Sequence, residues 1–303
     1  MARAMSAPSS HSPIGLPFAV ATLGIALFSG MDALMKHLAI GLGTYNALLW
    51  RTLAGAVFGG VVFVATRTPW PSRKVLRIHL IRGSLSVVMA ILFFWGLARV
   101  PLAQGVALAF VAPLIALYLA ALILKEKIAR SAILASLLGF AGVIVILAGQ
   151  AEARLGPEAF RGSVAILMSA CLYAYNIILM RQQAQVAKPI EVAFFMSLIM
   201  TSGFLLAAPW LAAPPPRAEL PAVAGAAVLA FVSLILLSWA YARAEAQYLA
   251  PVEYTSFIWA ALFGLLIFHE PVRPLTLAGA AMIVVACLLA ARRTRVADAA
   301  SGV

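Results

Sequence analysis

Apolar runs of about twenty residues follow one another along the chain, and polar residues are confined to short gaps between them. A membrane-crossing helix needs ~20 mostly apolar residues. The pattern therefore predicts ten such helices, at roughly 14–35, 44–66, 78–98, 102–124, 129–149, 160–180, 190–211, 220–242, 247–268 and 274–291. Turn and charge signals such as RTPWPSRK, KEKIAR, EARLGPE, PPPRAELP and HEPVRP separate them. No gap is long enough for a soluble domain. The third and fourth runs are nearly continuous, as are the eighth and ninth. Residues 1–13 form a polar tail rich in Ser, Pro and Ala. The apolar run after this tail is too long for a signal-peptide core and is followed by further spans, so it reads as a retained first helix.

Composition agrees with the pattern. Of 303 residues, 64% are hydrophobic and 11% charged, whereas a soluble domain carries about 25% charged residues. The net charge of +12 would point to nucleic acid in a soluble protein. Here the positive residues fill the gaps between apolar runs, as topology signals do, so a nucleic-acid partner is not expected. The two cysteines, Cys171 and Cys287, lie inside apolar runs and offer neither a disulfide framework nor a metal spacing.

With ten spans the termini share a side. Of the 22 Lys and Arg residues, 15 fall on the side of the termini, counting Arg82 at the start of the third span, and 6 fall on the other. Arg51, inside the second span, completes the set. Short basic loops stay cytoplasmic, so both termini are expected in the cytoplasm.

The chain also repeats itself. Trp95 and Arg99 in WGLARV recur as Trp239 and Arg243 in WAYARA, 144 residues on. Each arginine is followed 27 residues later by a glutamate, Glu126 and Glu270. Chance recurrence of W-x-x-A-R is the weaker account, because the spacing to Glu and the helix count match as well. A five-helix unit is odd, so the second copy crosses the membrane in the opposite sense. The expected architecture is an all-α polytopic membrane protein. Its ten transmembrane helices form a 5+5 inverted-topology repeat around a central cavity, an arrangement of secondary transporters. The repeats span 14–149 and 160–291, with a second cytoplasmic tail at 292–303.

The segments LAFVAPLIALYLAALILKEKI and LAPVEYTSFIWAALFGLLIFHEPV resemble the two signature segments of the drug/metabolite transporter superfamily, EamA type. Within it the chain is similar to the bacterial YddG-type exporters of aromatic and other amino acids. The resemblance implies a cavity lined by the first four helices of each half, with the fifth and tenth at the periphery. The halves depart in one respect: Pro113 precedes Glu126 by 13 residues, but position 257 is Phe and the proline has moved to Pro251.

No enzyme motif is present, and neither a metal nor a cofactor is expected: His11, His37, His79 and His269 are scattered. Ionisable residues inside spans are costly and usually paired or functional. Asp32 and Arg51 lie at depths that differ by ~5 Å, so an Asp32–Arg51 ion pair is expected, with Arg51 mainly fastening two helices. Glu253 is unique to the second half, its counterpart being Ala109, and it follows Pro251. Glu253, Ser256, Ala260 and Gly264 share a helical face, which reads as the wall of a wet cavity more than as a packing stripe. Lys36, Tyr173 and Asn176 lie on polar stripes of the first and sixth helices. Trp95 and Trp239 sit near helix ends, where aromatic belts occur. Tyr254 and Phe257 lie deeper, beside Glu253, and suit a flat apolar ligand. Glu126 and Glu270 stand at helix junctions, where a carboxylate can hold the N-terminus of the next helix.

The candidate substrate or coupling residues are thus Asp32, Lys36, Arg51, Tyr173, Asn176, Trp239, Glu253, Tyr254 and Phe257. The expected function is export of small metabolites, amino acids including aromatic ones first, across a bacterial inner membrane by alternating access. A vitamin, a nucleoside-like metabolite or a cationic drug is the alternative cargo, and a non-transporting membrane scaffold the alternative class. A small molecule and the lipid bilayer are the implied partners. The sequence leaves the oligomeric state open and is compatible with a monomer.

Overall fold

A computed structural model describes residues 15–124, 130–152, 155–241 and 252–301. Glu126, Arg243 and Pro251 lie outside the described residues. The helices are α1 (Gly15–Leu42), α2 (Thr44–Ala65), α3 (Arg73–Leu97), α4 (Leu102–Ala109), α5 (Ala112–Leu124), α6 (Arg130–Glu152), α7 (Gly156–Ala184), α8 (Pro189–Leu205), α9 (Ala208–Leu211), α10 (Leu220–Tyr241), α11 (Ser256–Phe268) and α12 (Pro274–Ser301). Five of them, α1, α2, α3, α7 and α10, are long and apolar enough to cross a membrane. The described apolar helices α8 and α11, and the apolar parts of α4–α5, α6 and α12, are shorter.

Several helices are longer than their apolar runs, because a helix does not stop where its hydrophobicity does. Ser72 accepts from the Val75 N–H and starts α3 at Arg73, five residues before the predicted run, so His79 and Arg82 stand well inside the helix and not at its start. α1 runs to Leu42 and α7 to Ala184, which places Lys36 and Gln183 within helix. The fourth run is two helices. Pro113 lacks an N–H and its ring excludes the carbonyl four residues back, so the helix opens at 110–111 into a turn held by Phe110 N–H to Ala107 and Val111 N–H to Leu108. The chain opens again at 254–255, just before α11. Those positions are 144 residues on from 110–111. The proline has moved between the halves, but the break has not.

The helices pack in pairs: α1 with α10, α3 with α7, α2 with α8 and α6 with α12. Glycines set the close approaches. A Cβ at Gly96 would strike the Gly162 carbonyl and Ile166. At the α6–α12 crossing, a Cβ at Gly142 would lie 2.7 Å from the Gly279 carbonyl, and one at Gly279 would lie 2.5 Å from that of Gly142. Such backbone contact between small residues is how helices associate where lipid supplies no hydrophobic drive. Outward faces are apolar: Val57, Val61 and Val64 on α2 and Leu134, Leu137 and Phe140 on α6 are exposed. That is the surface a bilayer covers.

Contacts sort the helix ends into two groups. One end gathers Lys36, Val100 and Glu270, Tyr45 with Phe204, Trp50 with Ala213, and Arg99 with Glu158. We call it the first end. The second end gathers Trp70, His79, Gln183 and Glu191.

Candidate functional site

At the first end, Lys36 is almost fully buried and donates to Glu270 Oε1 at 2.5 Å and to the Val100 carbonyl at 2.7 Å. The other oxygen, Oε2, accepts the Leu102 N–H at 2.8 Å. The carboxylate therefore caps α4 and ties it to α1. Local backbone aims it there: His269 adopts a left-handed conformation (φ 55°), and the Glu270 N–H returns to the Gly264 carbonyl at 3.0 Å. Sequence reasoning expected Glu270 to hold the next helix; it holds the N-terminus of α4, 168 residues away in the chain. Lys36, expected as a substrate donor, is taken up by this pair and by the Phe268 ring at 4.9 Å.

The first copy of the W-x-x-A-R motif also resolves at this end, whereas Trp239 of the second copy lies toward the second end, near Thr68 and Lys188. The Arg99 guanidinium lies 3.6 Å from the Trp95 ring centroid and bonds Glu158 at the start of α7. Trp239 is half-buried against Ala21 and Val252.

In the middle, α1 and α2 bring Asp32 and Arg51 into each other's field without an ion pair inside 4.0 Å. The expected Asp32–Arg51 salt bridge is not formed. Instead Asp32 Oδ1 and Arg51 Nε are buried with no hydrogen-bond partner, as are Ser29 Oγ, one turn from Asp32, and Gln104 Nε2 on α4. Such orphans are costly, and each marks a place where a polar group is wanted. Tyr173 of α7 lies within the electrostatic field of Glu253, Arg82 and Asp32, so charged groups of α1, α3 and the turn before α11 come near it. Asn176 Oδ1 accepts from Arg82 Nε at 3.1 Å. Asn176 and Tyr173 stand 144 residues after Asp32 and Ser29. The repeat thus places a carboxylate in one half where the other has its isosteric amide.

Glu253 is exposed at the broken turn, and its carbonyl accepts from the Ser256 hydroxyl at 2.6 Å. Farther along that face Ala260 and Gly264 are buried, Gly264 against Leu102. The stripe expected to wall a wet cavity is in this part a packing face. Tyr254 meets Phe110 edge to face, with centroids 5.2 Å apart, and these two aromatics are themselves equivalent at the 144-residue offset. Phe257 packs into the same cluster.

Sequence reasoning missed a polar network at the second end. His79 Nε2 lies 2.9 Å from Glu191 Oε1, and Gln183 Nε2 lies 2.5 Å from His79 Nδ1. Arg82 bonds Gln183 Oε1, and all four residues are buried. The signal was present: Arg82 falls inside an apolar run, one turn from His79, yet it read as part of a basic loop.

The description of the EamA-like transporter family matches residues 16–148 and again 160–292. The chain belongs to the EamA-like transporter family. That family lies within the drug/metabolite transporter superfamily, and its members are membrane transporters, not enzymes. An uncharacterized transporter of Helicobacter pylori is 29% identical over 63% of this chain, a match that spans 64% of its own length. The pseudopaline exporter CntI of Pseudomonas aeruginosa is 25% identical over 90% of this chain and 95% of its own. A riboflavin transporter of Rhizobium johnstonii is 30% identical, covering 75% of this chain and 72% of its own. A crystal structure at 20% identity superimposes with a TM-score of 0.61 over 91% of this chain and 97% of that one, a likeness of fold alone.

Proposed function

We propose that this EamA-type protein exports amino acids, aromatic ones included, across a bacterial inner membrane by alternating access. The observation that carries the reading is the orphaned pair at Asp32 and Arg51: a buried acceptor atom and a buried donor atom, near each other and not joined. An amino acid brings an ammonium for the first and a carboxylate for the second. Tyr173 lies in the field of Asp32 and of the exposed Glu253, Asn176 is one turn along the same helix, and Tyr254 and Phe257 offer aromatic cover for a side chain. The likeness to a protein named as a pseudopaline exporter supports export. Two five-helix repeats, 14–149 and 160–291, related by inversion, complete the reading. They are supported by the 144-residue offset between the two matched segments, by the paired breaks at 110–111 and 254–255, and by helix direction: α1 and α3 run toward the first end, whereas their counterparts α7 and α10 start there.

Purified protein in liposomes tests it. Labelled phenylalanine, tryptophan and threonine are expected to move faster than glutamate, and Asp32→Asn should reduce phenylalanine movement at least tenfold with the protein still monodisperse. Aromatic contact tolerates shape, so preference should be graded among large apolar side chains. The likeness to a riboflavin transporter favours a second reading, in which a flat vitamin is the cargo. If riboflavin, a nucleoside or a cationic dye moves and no amino acid exceeds empty liposomes, the amino-acid reading is lost.

A further inference from the structure

The network at the second end is not required by the scaffold. Shifted by 144 residues, Gln183, Glu191 and His79 become Ala39, Ala47 and Val223. All three are buried in one apolar cluster. The same junction of three helices is therefore built dry in one half and polar in the other. Buried polar groups inside a membrane helix bundle are expensive, and a dry alternative exists within this very chain.

Hydrogen-bond polarity fixes the protonation state of the network. Arg82 only donates, so the atom of Gln183 that it bonds is the carbonyl Oε1. The Gln183 amide nitrogen is then the one that faces His79 Nδ1. His79 must accept there, which makes it the neutral tautomer with its proton on Nε2, donating to Glu191. A proton arriving at Nδ1 turns the Gln183 contact into N–H against N–H and adds a positive charge one turn from Arg82. The link to Glu191 becomes an ion pair. Protonation thus breaks the His79–Gln183 bond, leaving Arg82 as the polar tie from α3 to Gln183 and Asn176, and tightens α3 on α8.

The surroundings suit this step. Phe195 stacks on the imidazole at 5.0 Å, and behind it α2 contributes only apolar Phe63. The charged and titratable groups facing the site are Glu191 and, at the start of α8, Lys188; Arg82 on α3; and Tyr173 of α7 in the field of Arg82. Glu191 also lines an open cleft of about 470 Å³ between residues 69–75 and 185–191, so the network meets water on its Glu191 side. Imidazole is the side chain whose ordinary titration lies in the physiological range.

We propose that His79, Gln183 and Glu191 form a proton-operated latch on α7, in which uptake of a proton at His79 Nδ1 releases Gln183 from the imidazole and leaves it held by Arg82 alone. α7 carries Tyr173 and Asn176, so release of its end couples proton uptake to the candidate substrate site; that coupling rests on the transport reading above, whereas the latch does not.

Hydrogen–deuterium exchange of the reconstituted protein tests the latch without a substrate. Corrected for intrinsic rates, amides of residues 177–187 should exchange about tenfold faster at pH 5.5 than at pH 8 in the native chain, as expected when a buried hydrogen bond is lost. In His79→Gln, whose amide can bond both neighbours without titrating, the difference should vanish. In Gln183→Glu the new carboxylate would accept from imidazolium, so acid should slow exchange instead. No acid-dependent release in the native chain, or the same response in His79→Gln or Gln183→Glu, would overturn the proposal. Phenylalanine flux in the same liposomes separates the two readings: an acid-released α7 with no amino-acid movement keeps the latch and rejects the cargo, and phenylalanine flux without acid release does the reverse.

Discussion

Lys36 and Glu270 form the kind of ion pair whose energy depends on keeping both members. Lys36 alone would be a charge in an apolar setting, whereas Glu270 is a quarter exposed and keeps the Leu102 N–H, so losing the charged hydrogen bond between them costs about 1.5–3 kcal/mol. Lys36→Met should therefore lower unfolding stability in detergent by that order, and Lys36→Met with Glu270→Gln should recover most of the loss. Glu270→Gln alone should reduce yield and stability more than it changes which substrate moves. Glu253 belongs to another class: it is exposed, at the broken turn, and in the field of Tyr173. Glu253→Gln should impair transport in liposomes while the protein elutes as a single monodisperse species; full activity with an unchanged pH profile would remove it from the mechanism. The sequence marked Glu270 as a helix-holding carboxylate and Glu253 as a site candidate, but it did not reveal which helix Glu270 holds or that Lys36 is its partner. The sequence marks Lys36 as a cation in an apolar run, but its partner lies 234 positions away, and spacing along one helix cannot reveal it.

Hydropathy located the helices well because burial in lipid and apolar composition are the same physical fact. It failed at their ends and at one interior break. A helix end is set by caps and unpaired N–H groups, such as those of Ser72 and Leu102, and a run of apolar residues is blind to them. Gln183 was missed for that reason, whereas Arg82 lay inside a predicted run and was read as part of a basic loop. The break at 254–255 was obscured because the eye follows the proline, whereas the equivalence follows position. Helix pairing was legible only in retrospect, through glycines. Gly96→Ala should destabilise the α3–α7 pair by about 1–3 kcal/mol, since its methyl meets the Gly162 backbone, which cannot step aside. Gly41→Ala, where a Cβ meets nothing within 4 Å, is the matched control, and thermal unfolding of the two variants side by side reads the difference.

At the scale of the molecule, charge distribution predicts orientation. With 15 Lys and Arg residues on the side of the termini and 6 on the other, reporter fusions and cysteine labelling should find both termini in the cytoplasm. The second end, with its open cleft, would then face the cytoplasm and the Lys36–Glu270 clasp the opposite side. An externally labelled C-terminus would reverse the assignment. The two ends differ chemically: one is closed by a lysine and a carboxylate, the other by an imidazole between an amide and a carboxylate.

Anything that rocks must rock against something that stays. At the crossing of α6 and α12, two glycine carbonyls occupy the space that side chains fill elsewhere, with Ile283 and Ile146 wedged alongside. A slide of one residue would drive a methyl into backbone, so this pair can neither ratchet nor shear. On the transport reading it would serve as a keel: its apolar flanks suit lipid, and the remaining helices would swing about the line it fixes.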